Sequence, residues 1–162
     1  MDLNKIPSPY LDGIFDPLMA ANPQEGWIAL WETNRGCPFS CAYCDWGSAT
    51  KNRIYSYDME RLFKELDWFS RNKVEFIFCC DANFGILDRD VDIVKYIVKQ
   101  KKQYGYPKVF SIQSTKDFKE PSYDMYRLMS ENGLNKGISL SIQSLNDNTL
   151  KEIGRKNVPI GT

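Results

Sequence analysis

Four short stretches of nearly continuous apolar residues punctuate the chain: Trp27 to Thr33 (WIALWET), Val74 to Cys80 (VEFIFCC), Val109 to Ser114 (VFSIQS) and Ile138 to Ser144 (ISLSIQS). Each has strand length, so each predicts a β-strand. Between them the period changes. From Asp58 to Phe69, Met59, Leu62, Phe63, Leu66 and Phe69 recur on one helical face, with Ser56 or Asp58 as the cap. Val91 to Gln103 repeats the pattern with Val91, Val94, Ile97 and Val98. Ser122 to Asn132 stops at Gly133, and Thr149 to Ile153 stops at Gly154, both natural helix ends.

Strand followed by helix, repeated along the chain, predicts right-handed βα units and a parallel sheet. Nearly continuous apolar strands suit a sheet covered on both faces. The tetrapeptide SIQS occurs at Ser111–Ser114 and again at Ser141–Ser144, about one βα unit apart. A four-stranded parallel sheet leaves an unpaired edge. The expected fold class is therefore α/β, a truncated portion of a larger barrel-like sheet. Residues 1–24 carry four prolines and little periodicity, and read as an extended lead-in or linker. Residues 25–162 read as the core domain.

Charge adds a restriction. Lys+Arg and Asp+Glu both total 21, so no net field points to nucleic acid or anionic membrane. No apolar run is long enough to span a bilayer, and the polar start has no signal-peptide core. The expected localisation is cytoplasmic, with no nucleic-acid or membrane partner. There is no histidine, which removes Cys/His zinc sites and His general bases together. Five cysteines, an odd number, do not suggest a secreted disulfide framework.

Three of those cysteines crowd into one loop after the first strand: Gly36-Cys37-Pro38-Phe39-Ser40-Cys41-Ala42-Tyr43-Cys44-Asp45-Trp46-Gly47, spaced C-x3-C-x2-C. Three thiolates so close can wrap one compact metal centre. A structural zinc wants four ligands, an ordinary ferredoxin cluster uses four cysteines, and a thioredoxin-like centre uses two. Three ligands on a four-iron cluster leave one iron open, as a catalytic site requires. An iron–sulfur electron-transfer or inactive scaffold module and a structural zinc module remain the alternatives.

C-x3-C-x-aromatic-C after the first strand of a βα repeat, with Tyr43 as the aromatic, resembles the signature of the radical S-adenosylmethionine superfamily. The resemblance implies a partial (β/α)6 barrel of which this chain supplies the first four strands. It implies a 4Fe–4S cluster on Cys37, Cys41 and Cys44, with S-adenosylmethionine on the open iron. Reductive cleavage then yields a 5′-deoxyadenosyl radical that abstracts hydrogen from a substrate, with a flavodoxin- or ferredoxin-like electron donor as partner. After the second strand, where many members have a Gly-rich segment for the amino group, this chain has Cys80-Asp81-Ala82-Asn83-Phe84-Gly85. Asp81 or Asn83 is expected to contact that group, or to make a local turn. SIQSLNDNTLKEIGR is similar to a stretch of coproporphyrinogen-oxidase-like members, which implies cofactor contacts from Gln143 and Arg155. Those members carry a Glu at the position of Gln113, the candidate ribose contact.

Pro7-Ser8-Pro9-Tyr10-Leu11-Asp12-Gly13, the Cys44–Gly47 corner and Asp81–Gly85 together resemble the cobalamin-dependent branch, in which methyl transfer is the commonest activity. In that branch cobalamin would be held outside this chain, by a cobalamin-binding domain or a partner chain. Cys79 and Cys80 read as small buried hydrophobes, and Lys95, Lys99, Lys101 and Lys102 as a solvated face that suits a helix C-terminus. Trp31 and Trp46 flank the cysteine loop, as shields or as core.

Overall fold

The computed structural model describes residues 1–116, 120–135, 137, 139–155 and 157. A 3-10 turn (Leu3–Lys5) and α1 (Asp16–Ala21) precede β1 (Ile28–Trp31) and β2 (Asn34–Arg35). Then come α2 (Trp46–Ala49), β3 (Tyr55–Ser56), α3 (Met59–Arg71), β4 (Phe76–Cys79) and α4 (Asp90–Tyr104). The last elements are β5 (Val109–Ser111), α5 (Glu120–Glu131) and α6 (Asp147–Glu152).

β1, β4 and β5 form one parallel sheet in that order, with Ile28 opposite Phe76 and Phe76 opposite Val109. α3 and α4 are the crossovers, and α3, α4 and α5 pack side by side. Alternate strand residues Ala29, Trp31, Ile77, Cys79 and Phe110 are buried with Leu62, Leu66 and Phe69 of α3. Ile93, Val94 and Ile97 of α4 and Met125 and Met129 of α5 complete this core. The opposite face is open: Ile28 and Leu30 are 66% and 67% exposed. Helices on one face and apolar side chains on the other are what a segment of βα barrel presents, since strand side chains alternate between outer core and lumen.

Trp31 belongs to the core. Its indole N–H donates to Glu65 Oε2 at 2.7 Å, and Arg61 Nε donates to the other oxygen at 3.0 Å. The ring packs edge-on to Phe69 and Phe110. Trp46, by contrast, is 55% exposed at the start of α2. Asp58 occupies the cap position of α3, without a side-chain cap bond.

Two expectations change, and one element is new. The lead-in is not simply extended: it contains the 3-10 turn and α1, buries Leu3, and packs Tyr10 against Trp68 and Phe69. A two-stranded antiparallel ribbon, β2 with β3, closes the base of the cysteine loop. Residues 139–144 do not form the fourth strand, and Ile138 lies outside the described residues. Leu140 and Ile142 are 46% and 41% exposed, and Ser139, Ser141 and Gln143 are exposed too, so neither face of that segment gains the burial that holds a strand of this type. Along the open edge of β5, Phe110 N–H donates to Leu134 O at 2.9 Å.

Candidate functional site

The cysteine loop leaves the sheet where β2 meets β3. Gly36 has φ of +112°, and a Cβ there would lie 2.1 Å from Arg53 O, so the neck closes only around glycine. At Gly47 a Cβ would sit 2.1 Å from Phe39 O, which lets the far side of the loop fold back on itself. Cys37 and Cys41 are buried, Cys44 is partly exposed, and none is bridged. Cys44 N–H donates to Cys41 O at 3.1 Å, making a turn between the second and third cysteines. Ala42 N–H donates to Ile153 O at 2.9 Å, so the loop docks on the end of α6.

Asn83 and Lys116 reach the sulfurs from outside the loop. Asn83 Nδ2 donates to Cys37 Sγ at 3.1 Å, from a residue only 2% exposed, and its Oδ1 is buried without a partner. Lys116 Nζ stands 3.7 Å from Cys41 Sγ and 5.3 Å from the centre of the Phe39 ring. Donors directed at sulfur suit thiolate ligands, and the free Asn83 oxygen is an acceptor awaiting a donor. Among the described residues no three Cys, Asp, Glu or His side chains converge on one ion-sized point. Thiolates around a cluster of several irons stand further apart than around one zinc, where each bond is about 2.3 Å. Three cysteines in one loop, with the Asn83 amide and the Lys116 ammonium aimed at two of the sulfurs, make a donor set that fits a cluster.

Asp81 and Asn83, treated alike in the sequence, part company here. Asp81 is fully buried and accepts from Thr33 N–H at 2.7 Å, Asn34 N–H at 3.1 Å and Asn34 Nδ2 at 2.7 Å. The Thr33 hydroxyl also donates to it. Burial pushes its carboxyl up to about 6, against the pull of the Thr33 and Asn34 donors. Asp81 thus ties the end of β4 to the end of β1, while Asn83 turns to the cysteines. The far end of this loop is fixed by Asp90, whose Oδ2 accepts from Gly85 N–H at 2.8 Å and Leu87 N–H at 3.1 Å. Burial raises Asp90 to about 6 as well. Arg89 completes the frame by donating to Thr33 O at 2.8 Å and to Tyr57 O.

On the other side of the loop, Arg155 is buried and donates through one terminal nitrogen to Tyr43 Oη at 3.0 Å. Its Nε donates to Asn157 Oδ1 at 3.0 Å. Asn157 Nδ2 in turn donates to Ile142 O at 2.7 Å and Ser144 O at 3.0 Å, the two carbonyls flanking Gln143. The structure so links Tyr43, Arg155 and the Gln143 backbone. Partial burial raises the Tyr43 phenol, and the Arg155 charge opposes it. Gln143 is exposed with φ of 68°. Gln113 is also exposed, beyond β5, with its carbonyl accepting from Phe84 N–H at 2.9 Å.

Cys79 is fully buried, as expected, but Cys80 is exposed on the inner face of the sheet. Lys101 is not merely solvated, since its Nζ donates to Lys108 O at 2.9 Å and Gly133 O at 2.7 Å. Sequence reasoning missed Lys116, Asn157 and Asp90. Lys116 follows β5 on the side where parallel βα folds place their sites, and that position was its available signal. Asn157 and Asp90 carry no periodic signature.

A profile of the radical SAM superfamily matches residues 31–159. The chain belongs to the radical SAM superfamily. The cofactors expected from the sequence, a 4Fe–4S cluster and S-adenosylmethionine, are those of this superfamily. This radical SAM chain is 42% identical over 154 residues to the 2-(S-pantetheinyl)-carbapenam-3-carboxylate methyltransferase of Streptantibioticus cattleyicolor. It is 41% identical over 154 residues to TokK, a cobalamin-dependent radical SAM methyltransferase of Streptomyces tokunonensis. Each alignment covers 94% of this chain and 23% of the relative, so the chain spans under a quarter of the curated relatives it matches. Its fold is similar to that of TsrM from Kitasatospora setae, a radical S-adenosylmethionine methyltransferase solved with tryptophan substrate and a SAM analogue. The TM-score is 0.64 at 15% identity, over 81% of this chain and 26% of that one. Parallel βα repeats of a partial barrel are thus shared with a solved radical SAM protein. Among the described residues no helix is long and apolar enough to cross a membrane.

Proposed function

We propose that this chain is the cluster-binding and S-adenosylmethionine-binding part of a radical SAM enzyme, with residues 1–24 as lead-in and 25–162 as core. The observation that carries the reading is the C-x3-C-x2-C loop itself. It is placed at the C-terminal end of a parallel sheet, with Asn83 on Cys37 and Lys116 beside Cys41. Cys37, Cys41 and Cys44 would hold the cluster. When bound there, the cluster and S-adenosylmethionine supply reductive cleavage of the sulfonium to a 5′-deoxyadenosyl radical for hydrogen abstraction.

The chain's own residues bind and orient. Asn83 donates to one ligand sulfur and keeps a buried oxygen free for an N–H of the cofactor's amino group. Asp81 and Asp90 do not meet the cofactor in this reading; they hold the backbone that carries Asn83. Arg155 offers a cation for a carboxylate close to Tyr43, and Gln113 and Gln143 offer exposed amides for the ribose side. The identity to two methyltransferases, one of them named as cobalamin-dependent, supports methyl transfer as the reaction. Cobalamin would then be bound by a preceding domain or a partner chain, and the electron would come from a flavodoxin- or ferredoxin-like donor.

The test is anaerobic reconstitution with iron and sulfide, followed by EPR of the reduced protein with and without S-adenosylmethionine. About four irons per chain, and a spectrum that shifts on adding the cofactor, are expected from a cluster with an open iron. A cluster signal indifferent to the cofactor would return the chain to an electron-transfer or scaffold module. Stoichiometric zinc and no colour would sink the reading. Cys41→Ala is expected to lose the cluster, since two thiolates do not hold a four-iron centre; iron content reads this directly.

A further inference from the structure

The three candidate ligands have unequal surroundings. Cys37 Sγ receives a neutral amide N–H from buried Asn83 at 3.1 Å. Cys41 Sγ has a full cation, the Lys116 ammonium, at 3.7 Å. Cys41 also lies beside the Tyr43 hydroxyl, which Arg155 holds at 3.0 Å. Among the described residues no side-chain donor is found at Cys44, the most exposed of the three. Lys116 is held where it stands. It follows buried Thr115, whose N–H donates to Phe84 O at 3.0 Å, and its ammonium lies over the Phe39 ring within the cysteine loop. Among the described residues it pairs with no carboxylate.

An iron–sulfur centre ligated by thiolates is anionic, and one-electron reduction makes it more so. A fixed cation at a ligand sulfur therefore stabilises the reduced form more than the oxidised one, and raises the reduction potential. We propose that Lys116 is the charge that sets the reduction potential of the cluster held by Cys37, Cys41 and Cys44, acting through the Cys41 sulfur. It is a positioning and tuning residue, not a ligand. The electron comes from the external low-potential donor, and the cluster is the group reduced. Asn83, a neutral donor on Cys37, makes the smaller contribution. The inference rests on the cluster reading above and adds to it which residue makes reduction easier.

The experiment is an EPR-monitored redox titration of the reconstituted full chain without S-adenosylmethionine, comparing wild type, Lys116→Met and Lys116→Arg. Lys116→Met is expected to lower the reduced-to-oxidised ratio at a given potential by roughly tenfold, a negative shift of about 59 mV for one electron. Lys116→Arg keeps the charge and is expected to restore most of it. Loss of the cluster in Lys116→Met alone, with normal loading and wild-type potential in Lys116→Arg, overturns the proposal, because the charge would then serve cluster loading and not the potential. An unchanged potential in Lys116→Met at full iron content overturns it as well, even if affinity for S-adenosylmethionine falls. Loss of the cluster in both variants overturns it too, because packing and not charge would then be at stake. A wild-type chain that takes up no iron removes the cluster reading itself, a failure distinct from a loaded wild type with an indifferent Lys116.

Discussion

The chain contains one tetrapeptide twice, and the two copies have different structures. Ser111-Ile112-Gln113-Ser114 runs on from β5: Ser111 lies opposite Phe78 of β4, and Ser114 bridges to Phe84. Ser141-Ile142-Gln143-Ser144 is not a strand, and Ser144 N–H turns back to Ile142 O at 2.9 Å across a left-handed Gln143. The same four side chains carry the same intrinsic preference, so the difference is made by neighbours. The first copy has β4 beside it and α5 against its outer face. The second lies exposed, held through Asn157 and Arg155 to Tyr43 in the cysteine loop. A strand former forms a strand only where its faces and edges are occupied. Each copy carries a glutamine proposed for cofactor contact, one following a fixed sheet and one in a hydrogen-bonded loop.

The frame around the first copy should be the harder to disturb. Asp81→Ala leaves two backbone N–H groups, an amide and a hydroxyl buried at Thr33 and Asn34 without their acceptor. At about 1–3 kcal/mol for each orphaned group, partly offset by no longer burying a carboxylate, the expected loss of stability is about 3 kcal/mol. Chemical denaturation reads this. A loss below about 1 kcal/mol would mean that the loop carrying Asn83 is not anchored as described.

The same frame predicts a pH dependence of definite sign. Asp81 and Asp90 are both raised from 3.8 to about 6, chiefly by burial. The folded protein thus holds protons that the unfolded chain has released. The stability these groups contribute is complete below the unfolded value and is lost as pH rises through about 6. Between pH 7 and pH 5, wild type should gain on the order of 2 kcal/mol relative to the double variant Asp81→Asn, Asp90→Asn. Parallel profiles for the two proteins would show that neither carboxyl is perturbed.

How much of this was legible follows from the same contrast. The helical period located α3 and α4 because each buries one face, while β1, β4 and β5 were legible as apolar runs of strand length, although only one face of their sheet is covered and Ile28 and Leu30 are exposed on the other. The β2–β3 ribbon was not legible, since Asn34, Arg35, Tyr55 and Ser56 show no alternation. The three cysteines announced their loop by spacing alone. Yet Asp81 and Asn83, two positions apart, could not be told apart, because side-chain direction in a loop is set by the hydrogen bonds it makes. Lys116 stands far from the cysteines in sequence and meets Cys41 only through the βα topology.

On the side of the second copy, smaller effects are expected. Arg155→Ala removes the cation that joins Tyr43 to Asn157 and that is proposed to meet the cofactor carboxylate. Affinity for S-adenosylmethionine should fall about tenfold, near 1.4 kcal/mol, with iron content unchanged. Equilibrium titration of the reconstituted protein measures both. Unchanged affinity would make Arg155 a structural link between α6 and the cysteine loop and nothing more.

The smallest effect concerns Gln143 itself. A left-handed backbone costs a non-glycine residue roughly 1–2 kcal/mol, and glycine gives back about 0.5–1 kcal/mol through its greater freedom when unfolded. Gln143→Gly should therefore raise stability by about 0.5 kcal/mol, a small upward shift in Tm. If the amide meets the ribose, affinity for S-adenosylmethionine should fall in the same variant. The two readouts moving in opposite directions would identify φ of 68° as strain kept for binding. Lower stability without a change in affinity would assign the Gln143 side chain to holding the loop, and the second SIQS would then have a structural role only.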